Sequence, residues 1–408
     1  MDARDRPVLI AGAGVAGLTA ALAFARRGFQ ARVFERAPRL EAVGAGLQLS
    51  PNATHILRRL GVLDLLRPRA VQPDAVLLKD AASLRELARV PLGEAAERRW
   101  GAPYLVAHRG DLQQALLDGV AGNPAIELVL EASVRGATAG TGGVELLVER
   151  TGQPSQSAGM LLVGADGVWS TLRGLANGGG GTSRFAGELA WRTTVPAGSA
   201  AAGLVARLGG AGNVVAILHP GFHMIAYPVS GGEAFNLVAF TKGERIEEGW
   251  SGKADPEILA RAMRGTAPEL ARLAGDAAPW LVWPLHTVDQ RRPWVMPGGV
   301  ALIGDAAHAM TPFAAQGAAM AIEDAETLAA SVPGSPAGAT GALAAWERER
   351  KARVARVARR GALNHLAWHA AGPVALARDA FLRLRRPESL AADMDWLYGW
   401  RAPEDGTR

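Results

Sequence analysis

Six residues, Gly12-Ala13-Gly14-Val15-Ala16-Gly17, constrain this chain more than any other stretch, because of what stands on either side of them. Pro7-Val8-Leu9-Ile10 before them has the make-up of a buried parallel strand, and an alanine-rich helix is expected after them, through Arg27-Gly28. A second strand, Ala31-Arg32-Val33-Phe34, follows and ends in Glu35-Arg36. Gly-x-Gly-x-x-Gly alone is a weak signal, but inside a strand-helix-strand frame it is specific. Gly12 makes the turn, Gly14 lets a pyrophosphate approach the backbone, and Gly17 lets helix and strand pack closely. Glu35 falls about twenty residues on, where a carboxylate accepts the ribose hydroxyls of an adenosine.

A second stretch reads as a ligand surface. Ala301-Leu302-Ile303 is a short buried strand, Gly304-Asp305 a sharp turn, and an irregular loop with His308 and Pro312 leads to Gln316-Gly317-Ala318. There a helix opens at a glycine and runs through Glu323-Asp324-Ala325. An Asp at such a turn accepts hydrogen bonds from a polyol, and a helix start presents free N–H groups and a positive dipole end. Taken alone, an ordinary strand-turn-helix explains these residues equally well.

Met160–Val163 is a further buried strand, running into Gly164-Ala165-Asp166-Gly167. That turn reads either as a capped helix start or as a second wall of the same groove. The stretch Val43 to Ala53 holds two close glycines and a Pro-Asn pair, as in a loop held against a ligand; Gln48 by itself reads as an ordinary loop residue. Arg109, at a strand-to-helix corner, can reach a phosphate or a ribityl chain. Asp111 is expected to cap the helix Gln113–Val120.

Between these motifs the pattern changes. Residues 71–100 read as short strands and turns of a second layer, Ile126–Val134 with Val144–Glu149 as a hairpin, and Gly178–Gly181 as an open glycine loop. Leu189–Val195, Val214–Leu218, His223–Tyr227 and Phe235–Phe240 read as a largely antiparallel sheet. Residues 254–274 and 339–386 read as helical. The arginine-rich run at 350–360 has the spacing of a solvated face, and Asp395–Trp400 is an aromatic tail that must pack somewhere.

The chain has no cysteine, which excludes disulfides, thiolate metal sites and cysteine nucleophiles and agrees with a reducing cytoplasm. No metal-ligand pattern is read. A net charge of +5 over 408 residues, without a basic-aromatic alternation, makes nucleic acid an unexpected partner. Residues 1–6 are charged where a secretory leader would not be, and no run of about eighteen apolar residues occurs. A cytoplasmic protein without a membrane span, monomer or homodimer, is expected.

With Gly12–Gly17, Glu35-Arg36, Gly164-Ala165-Asp166-Gly167 and Gly304-Asp305 in this order, the chain resembles the single-component FAD-dependent aromatic hydroxylases, built like para-hydroxybenzoate hydroxylase. The likeness spans nearly the full length. Within that family it is nearest to salicylate, 3-hydroxybenzoate and 6-hydroxynicotinate hydroxylases, through Val43–Ala53, His308–Ala325 and the terminal Trp396-Leu397-Tyr398. The resemblance implies an α/β fold: a Rossmann-like FAD-binding domain of the GR2 type, an inserted α+β substrate domain built on an antiparallel sheet, and C-terminal helices. The FAD domain is expected from residues 1–70, 101–175 and 285–330, the substrate domain from 71–100 and 176–284, and the helical segment from 331–408.

By matching motif positions, Gly12, Gly14, Val15, Ala16 and Gly17 would hold the pyrophosphate, and Glu35 with Arg36 the adenosine. Arg109 and Val134 would lie along the cofactor, Asp305 beside Gly304 would take the ribityl chain, and Gln48 and Pro312 would border the flavin. Gly317 and Ala318 would present helix N–H groups to the flavin N1–C2=O edge, where reduced flavin carries its charge. Asp166 sits in the motif used for both FAD and NAD(P)H. No second Gly-x-Gly-x-x-Gly follows a strand, in keeping with NAD(P)H as a transient co-substrate.

The activity implied is NAD(P)H- and O2-dependent hydroxylation of an electron-rich aromatic, phenolic or carboxylated, through a C4a-hydroperoxyflavin. The protein group to find is then an acceptor for a phenolic proton. His223 and Tyr227, four apart on a strand and therefore on one face, occupy the place of the family's His-x-x-x-Tyr. Local packing is the competing reading of both. Arg192 suits a carboxylate but could equally pair with Glu188, and His308 reads as structural. Two alternatives stay open: the same fold acting on a larger or non-benzoate substrate (an epoxidase, a urate-type or a polyketide-tailoring hydroxylase), and a flavin-binding protein without oxygenase activity.

Overall fold

The computed structural model describes residues 6–40, 46–140, 143–176, 183–244, 256–332 and 339–403. The glycine loop expected at Gly178–Gly181 and the Val43–Ala45 part of the loop before Gln48 lie outside them.

A six-stranded sheet forms one half of the molecule, in the order 295–296, 300–302, 161–164, 8–11, 31–34, 126–129. All pairs are parallel except the edge pair of Val295–Met296 with Val300–Leu302. Neighbours in this sheet come from distant parts of the chain, so one α/β layer is assembled from separate segments. Its strands are apolar on both faces because both are covered, by the helix Val15–Arg26 on one side and by a three-stranded sheet of residues 132–140, 143–150 and 153–159 on the other; Val8, Leu9, Ile10, Leu162 and Val163 are fully buried. The helix Val15–Arg26 packs on one face together with the helix Gly317–Ser331.

A seven-stranded sheet forms the other half, in the order 281–287, 184–196, 234–242, 222–229, 214–219, 75–80, 86–91. Only the contact of Val214–His219 with Ala75–Asp80 is parallel. Strand alternation divides its residues between two cores. Phe222, Met224, Ala226, Leu237 and Ala239 point to a small core under the helices Ala200–Arg207 and Pro268–Asp276. Ile225, Tyr227, Val238 and Phe240 point the other way, into the core shared with the parallel sheet. His223 belongs by the same parity to that inner face.

Four expectations are corrected. Ile126–Val129 joins the parallel sheet, and the hairpin is made instead by Ala132–Gly140 with Gly143–Arg150. His108, not Asp111, caps the helix Arg109–Ala121, its Nδ1 accepting from Gly110 N at 3.2 Å. The 350–360 run is not a solvated face. On the long helix Ala339–Trp368, Val354 and Val357 are fully buried, and Arg350 on the same side is 3% exposed. The helical stretch expected at 339–386 also breaks after Trp368 and resumes as Gly372–Leu384.

Candidate active site

Two helix N-termini open onto one cavity of about 320 Å³: Gly14, Val15 and Ala16 line it from one helix, Gly317 and Ala318 from the other. The first turn of each helix has N–H groups without intrahelical partners, and the two positive dipole ends converge. The glycines explain how the backbone gets so close. Gly12 has φ of +102°, and a Cβ there would stand 2.5 Å from the Ala165 carbonyl oxygen; one at Gly17 would stand 1.9 Å from the Gly12 carbonyl oxygen. A Cβ at Gly14 meets nothing within 4 Å, so that face lies open to a ligand. Glu35 holds the loop against the next strand, accepting from Ala13 N at 2.8 Å and Ala37 N at 2.9 Å. An extended anionic dinucleotide fits this cradle by charge and by shape. Gly17→Ala is expected to leave a protein that retains no dinucleotide after purification; stoichiometric retention would contradict the packing described.

The second helix start is held by a buried polar cluster. Gly304, with φ of +58°, donates its N–H to Asp324 Oδ2 at 2.9 Å, and His308 Nε2 lies 2.5 Å from the same oxygen. Arg350 bridges the two acids, from Nε to Asp324 Oδ1 and from Nη1 to Glu323 Oε2, both at 2.7 Å. Arg353 and Asn52 Nδ2 complete the partners of Glu323, and Gln316 is tied to Ser50 and Asn52. Burial pushes the Asp324 carboxyl up; His308, Arg350 and the Gly304 N–H more than offset this and bring it down to about 2. His308 is thus a structural partner of Asp324, as its sequence context indicates. Asp305 itself is exposed, and both it and Arg109 line the cavity.

Asp166 turns its Oδ2 to Thr171 N and Leu172 N, at 2.8 and 3.2 Å, and so caps a short helix, while its buried Oδ1 has no partner. Arg173 fastens this turn to the Gly304-Asp305 turn, donating to the Ala306 carbonyl at 2.8 Å and to that of Val168 at 2.5 Å. No feature of the sequence singled out Arg173.

A second, larger cavity of about 510 Å³ adjoins the first, and Gln48, Ile225, Phe240, Pro312 and Ala315 border both. Val76, Leu78, Val90, Val214 and Phe313 make its walls apolar. His223 lines the larger cavity and Tyr227 the smaller, so the inner face of one strand serves both. Burial first, then His369 and His365, hold His223 well below its usual value; its Nε2 has no partner and its Nδ1 lies 3.1 Å from His369 Nε2. Burial raises the Tyr227 phenol, against the pull of Arg192. Gln48 Oε1 accepts from the Tyr104 hydroxyl at 2.5 Å.

Arg192 does not pair with Glu188, whose Oε1 is bonded to His365 Nε2 at 2.6 Å; Arg192 lines the smaller cavity, and its buried Nε has no partner. Arg360, overlooked in the sequence, lines the larger cavity with a buried Nε that also has no partner. Val134 lies in the hairpin strand Ala132–Gly140, away from both cavity linings, and Arg36 is exposed beside Glu35.

Residues 5–361 match the family described as an FAD binding domain. A 3-hydroxybenzoate 6-hydroxylase of Polaromonas naphthalenivorans is 34% identical over 401 residues, spanning 97% of this chain and 96% of its own. A 3-amino-4-hydroxybenzoate 2-monooxygenase of Streptomyces cremeus is 35% identical over 401 residues, spanning 97% of this chain and 95% of its own. Among solved structures, HpxO of Klebsiella pneumoniae in complex with FAD and uric acid superposes with a TM-score of 0.80 at 24% identity, covering 96% of each chain; this likeness speaks to the fold.

Proposed function

The chain belongs to the FAD-binding-domain family of aromatic-ring monooxygenases, and from that premise we propose that its substrate is a hydroxylated aromatic acid seated in the larger cavity. The protein is an FAD-dependent aromatic monooxygenase that draws on NAD(P)H and O2. Bound FAD supplies the electron transfer and the activation of oxygen. The protein's own part is to hold the ring, keep water away from it and take up its phenolic proton.

The observation that carries the substrate class is Arg360: its buried Nε has no partner, whereas the other two guanidiniums lining the same cavity, Arg378 and Arg385, are paired with Asp379 and Asp393, and the cavity shares a wall with the dinucleotide cavity. A carboxylate satisfies it. Both relatives named above act, by their names, on hydroxybenzoates. In this reading Gly12, Gly14, Val15, Ala16 and Gly17 hold the pyrophosphate, Glu35 the adenosine ribose and Asp305 the ribityl chain. Gly317 and Ala318, at the helix start that lines the cavity, would offer their N–H groups to the flavin N1–C2=O edge and favour negative charge there. His223, kept neutral by its surroundings, accepts a hydrogen bond from the substrate hydroxyl, and Tyr227 orients the ring at the flavin side. The seven-stranded sheet is then the substrate side of the molecule, with residues 71–100 and 176–284, and helices from residues 331–408 complete the cavity wall.

The test is NAD(P)H oxidation by the flavin-loaded protein against a panel of hydroxylated aromatic acids, with product masses. One acid should accelerate oxidation and gain one oxygen atom. His223→Ala is expected to lower kcat on it by about 10²-fold, the range of a lost proton acceptor, and Tyr227→Phe by less. Oxidation without oxygen incorporation would point to a reductase, and binding without turnover to a sensor.

One observation favours a second reading. A cavity of about 510 Å³ lies within the roughly 300–1,000 Å³ of pockets that take drug-sized ligands. Bicyclic acids therefore belong on the panel, and turnover of these alone would move the assignment to a larger aromatic substrate.

A further inference from the structure

Beside His223, on the same face of the seven-stranded sheet, two histidines and a carboxylate form a group of their own. His365 and His369 are four residues apart on the helix Ala339–Trp368 and its end, so they share a face, with ring centroids 4.3 Å apart. Glu188 reaches them from the strand Arg184–Pro196 and is 8% exposed; its Oε1 lies 2.6 Å from His365 Nε2. One ligand atom from each of Glu188, His365 and His369 lies within 4.8 Å of the others.

We propose that Glu188, His365 and His369 form a binding site for a divalent transition metal, clamping the long helix to the strand Arg184–Pro196 of the seven-stranded sheet beside the substrate cavity. Two imidazoles and one carboxylate suit zinc, cobalt, nickel or copper, and do not suit magnesium or calcium, which take oxygen donors. Bond lengths of about 2.0–2.2 Å place the ligand atoms of a tetrahedral site roughly 3.3 Å apart, so the three groups close on the ion by side-chain rotation. The His365–Glu188 hydrogen bond opens as the ion enters, the His365 proton moving to the other ring nitrogen. The His369 backbone N–H donates to the His365 carbonyl at 3.1 Å, which keeps the two residues one helical turn apart, and His369 Nε2 is turned toward His223 Nδ1. Access runs past His365, whose side chain is 32% exposed. Lys242 and His219 are the neighbouring groups that oppose a cation here.

The position gives the site a consequence. His369 Nε2 is also the neighbour of His223 Nδ1, at 3.1 Å, and an ion that takes this nitrogen takes the hydrogen-bond partner of the residue proposed to face the substrate. Bound metal should therefore slow hydroxylation; this second statement rests on the role given to His223, whereas the site does not.

The experiment is equilibrium dialysis of tag-free, metal-stripped, FAD-loaded protein against zinc, with metal measured by mass spectrometry. One zinc per chain is expected at low micromolar zinc, with none retained from millimolar magnesium. Glu188→Gln and His365→Ala should each weaken retention by at least about 30-fold while keeping the visible spectrum of the bound flavin. X-ray absorption at the zinc edge of the wild-type protein should show two imidazoles and an oxygen donor, a readout that requires no variant to fold. No retention at micromolar zinc, a coordination sphere without imidazole, or retention by both variants equal to that of the wild-type protein would overturn the site. If zinc binds as described and turnover is unaffected, the site stands and the role of His223 falls.

Discussion

Arg350→Met should destabilise the protein by about 3–5 kcal/mol, read as the shift in denaturant midpoint at constant slope, or leave no soluble flavoprotein at all. The guanidinium is 3% exposed and bonds two fully buried carboxylates, Glu323 and Asp324, each at 2.7 Å. Removing it leaves two negative charges facing one another in the interior, with Arg353 on one and His308 on the other. The loss should also reach the cofactor, because Asp324 receives the Gly304 N–H and thereby sets the turn that carries Asp305. Arg359→Met, about two and a half turns along and on the exposed side of the same helix, should change stability by no more than about 0.5 kcal/mol. Equal effects at both positions would mean that the buried cluster contributes nothing specific.

The same cluster fixes the direction of one pH dependence. The Asp324 carboxyl is lowered in the folded protein, to about 2, below its value in an unfolded chain of about 3.9. Its contribution to stability is therefore complete above about pH 4 and is lost as the pH falls from there toward 2. Asp324→Asn should flatten the acid limb of a stability–pH profile over that interval.

What could be read in the sequence follows from how local each constraint is. The dinucleotide cradle was legible because its glycines, its flanking strands and Glu35 lie within thirty residues, and each has a steric or hydrogen-bonding reason that does not depend on the rest of the fold. The turn at Gly304-Asp305 was visible, but not what holds it: Arg350 and Asn52 come from elsewhere in the chain. The reading of 350–360 went wrong on periodicity. Counting arginines gave a charged face, whereas Val354 and Val357 mark the buried stripe, and Arg350, Arg353 and Arg360 fall beside that stripe rather than opposite it. Charges that enter an interior are found from the apolar residues around them. The pairing of Glu188 with His365 rather than Arg192 joins residues 177 apart, and no spacing rule reaches that far.

The partner of Arg360 is the point on which the substrate assignment turns, and its replacement should have the largest functional effect outside the cofactor cradle. Arg360→Leu is expected to raise KM for the aromatic acid substrate by about 10²–10³-fold, within the 2–5 kcal/mol seen when one member of a buried charge pair is removed. kcat should change much less. For an acid whose carboxylate is retained in the product, the Arg360 contact is the same in ground and transition states, and a uniform binding loss appears in KM. The effect is specific to charge. Converting the substrate carboxylate to its amide should weaken binding to the wild-type enzyme and barely alter binding to Arg360→Leu, and that difference of differences isolates the pair from any repacking of the cavity wall. Arg192 supplies the competing explanation, since it too has an unpartnered nitrogen and lines the adjoining cavity. If Arg192→Leu raises KM and Arg360→Leu does not, the carboxylate lies on the dinucleotide side and the ring must be turned end for end, which would place its hydroxyl away from His223. If both variants leave KM for acids unchanged, the substrate carries no anionic group at either place, and the larger cavity is one for a neutral aromatic.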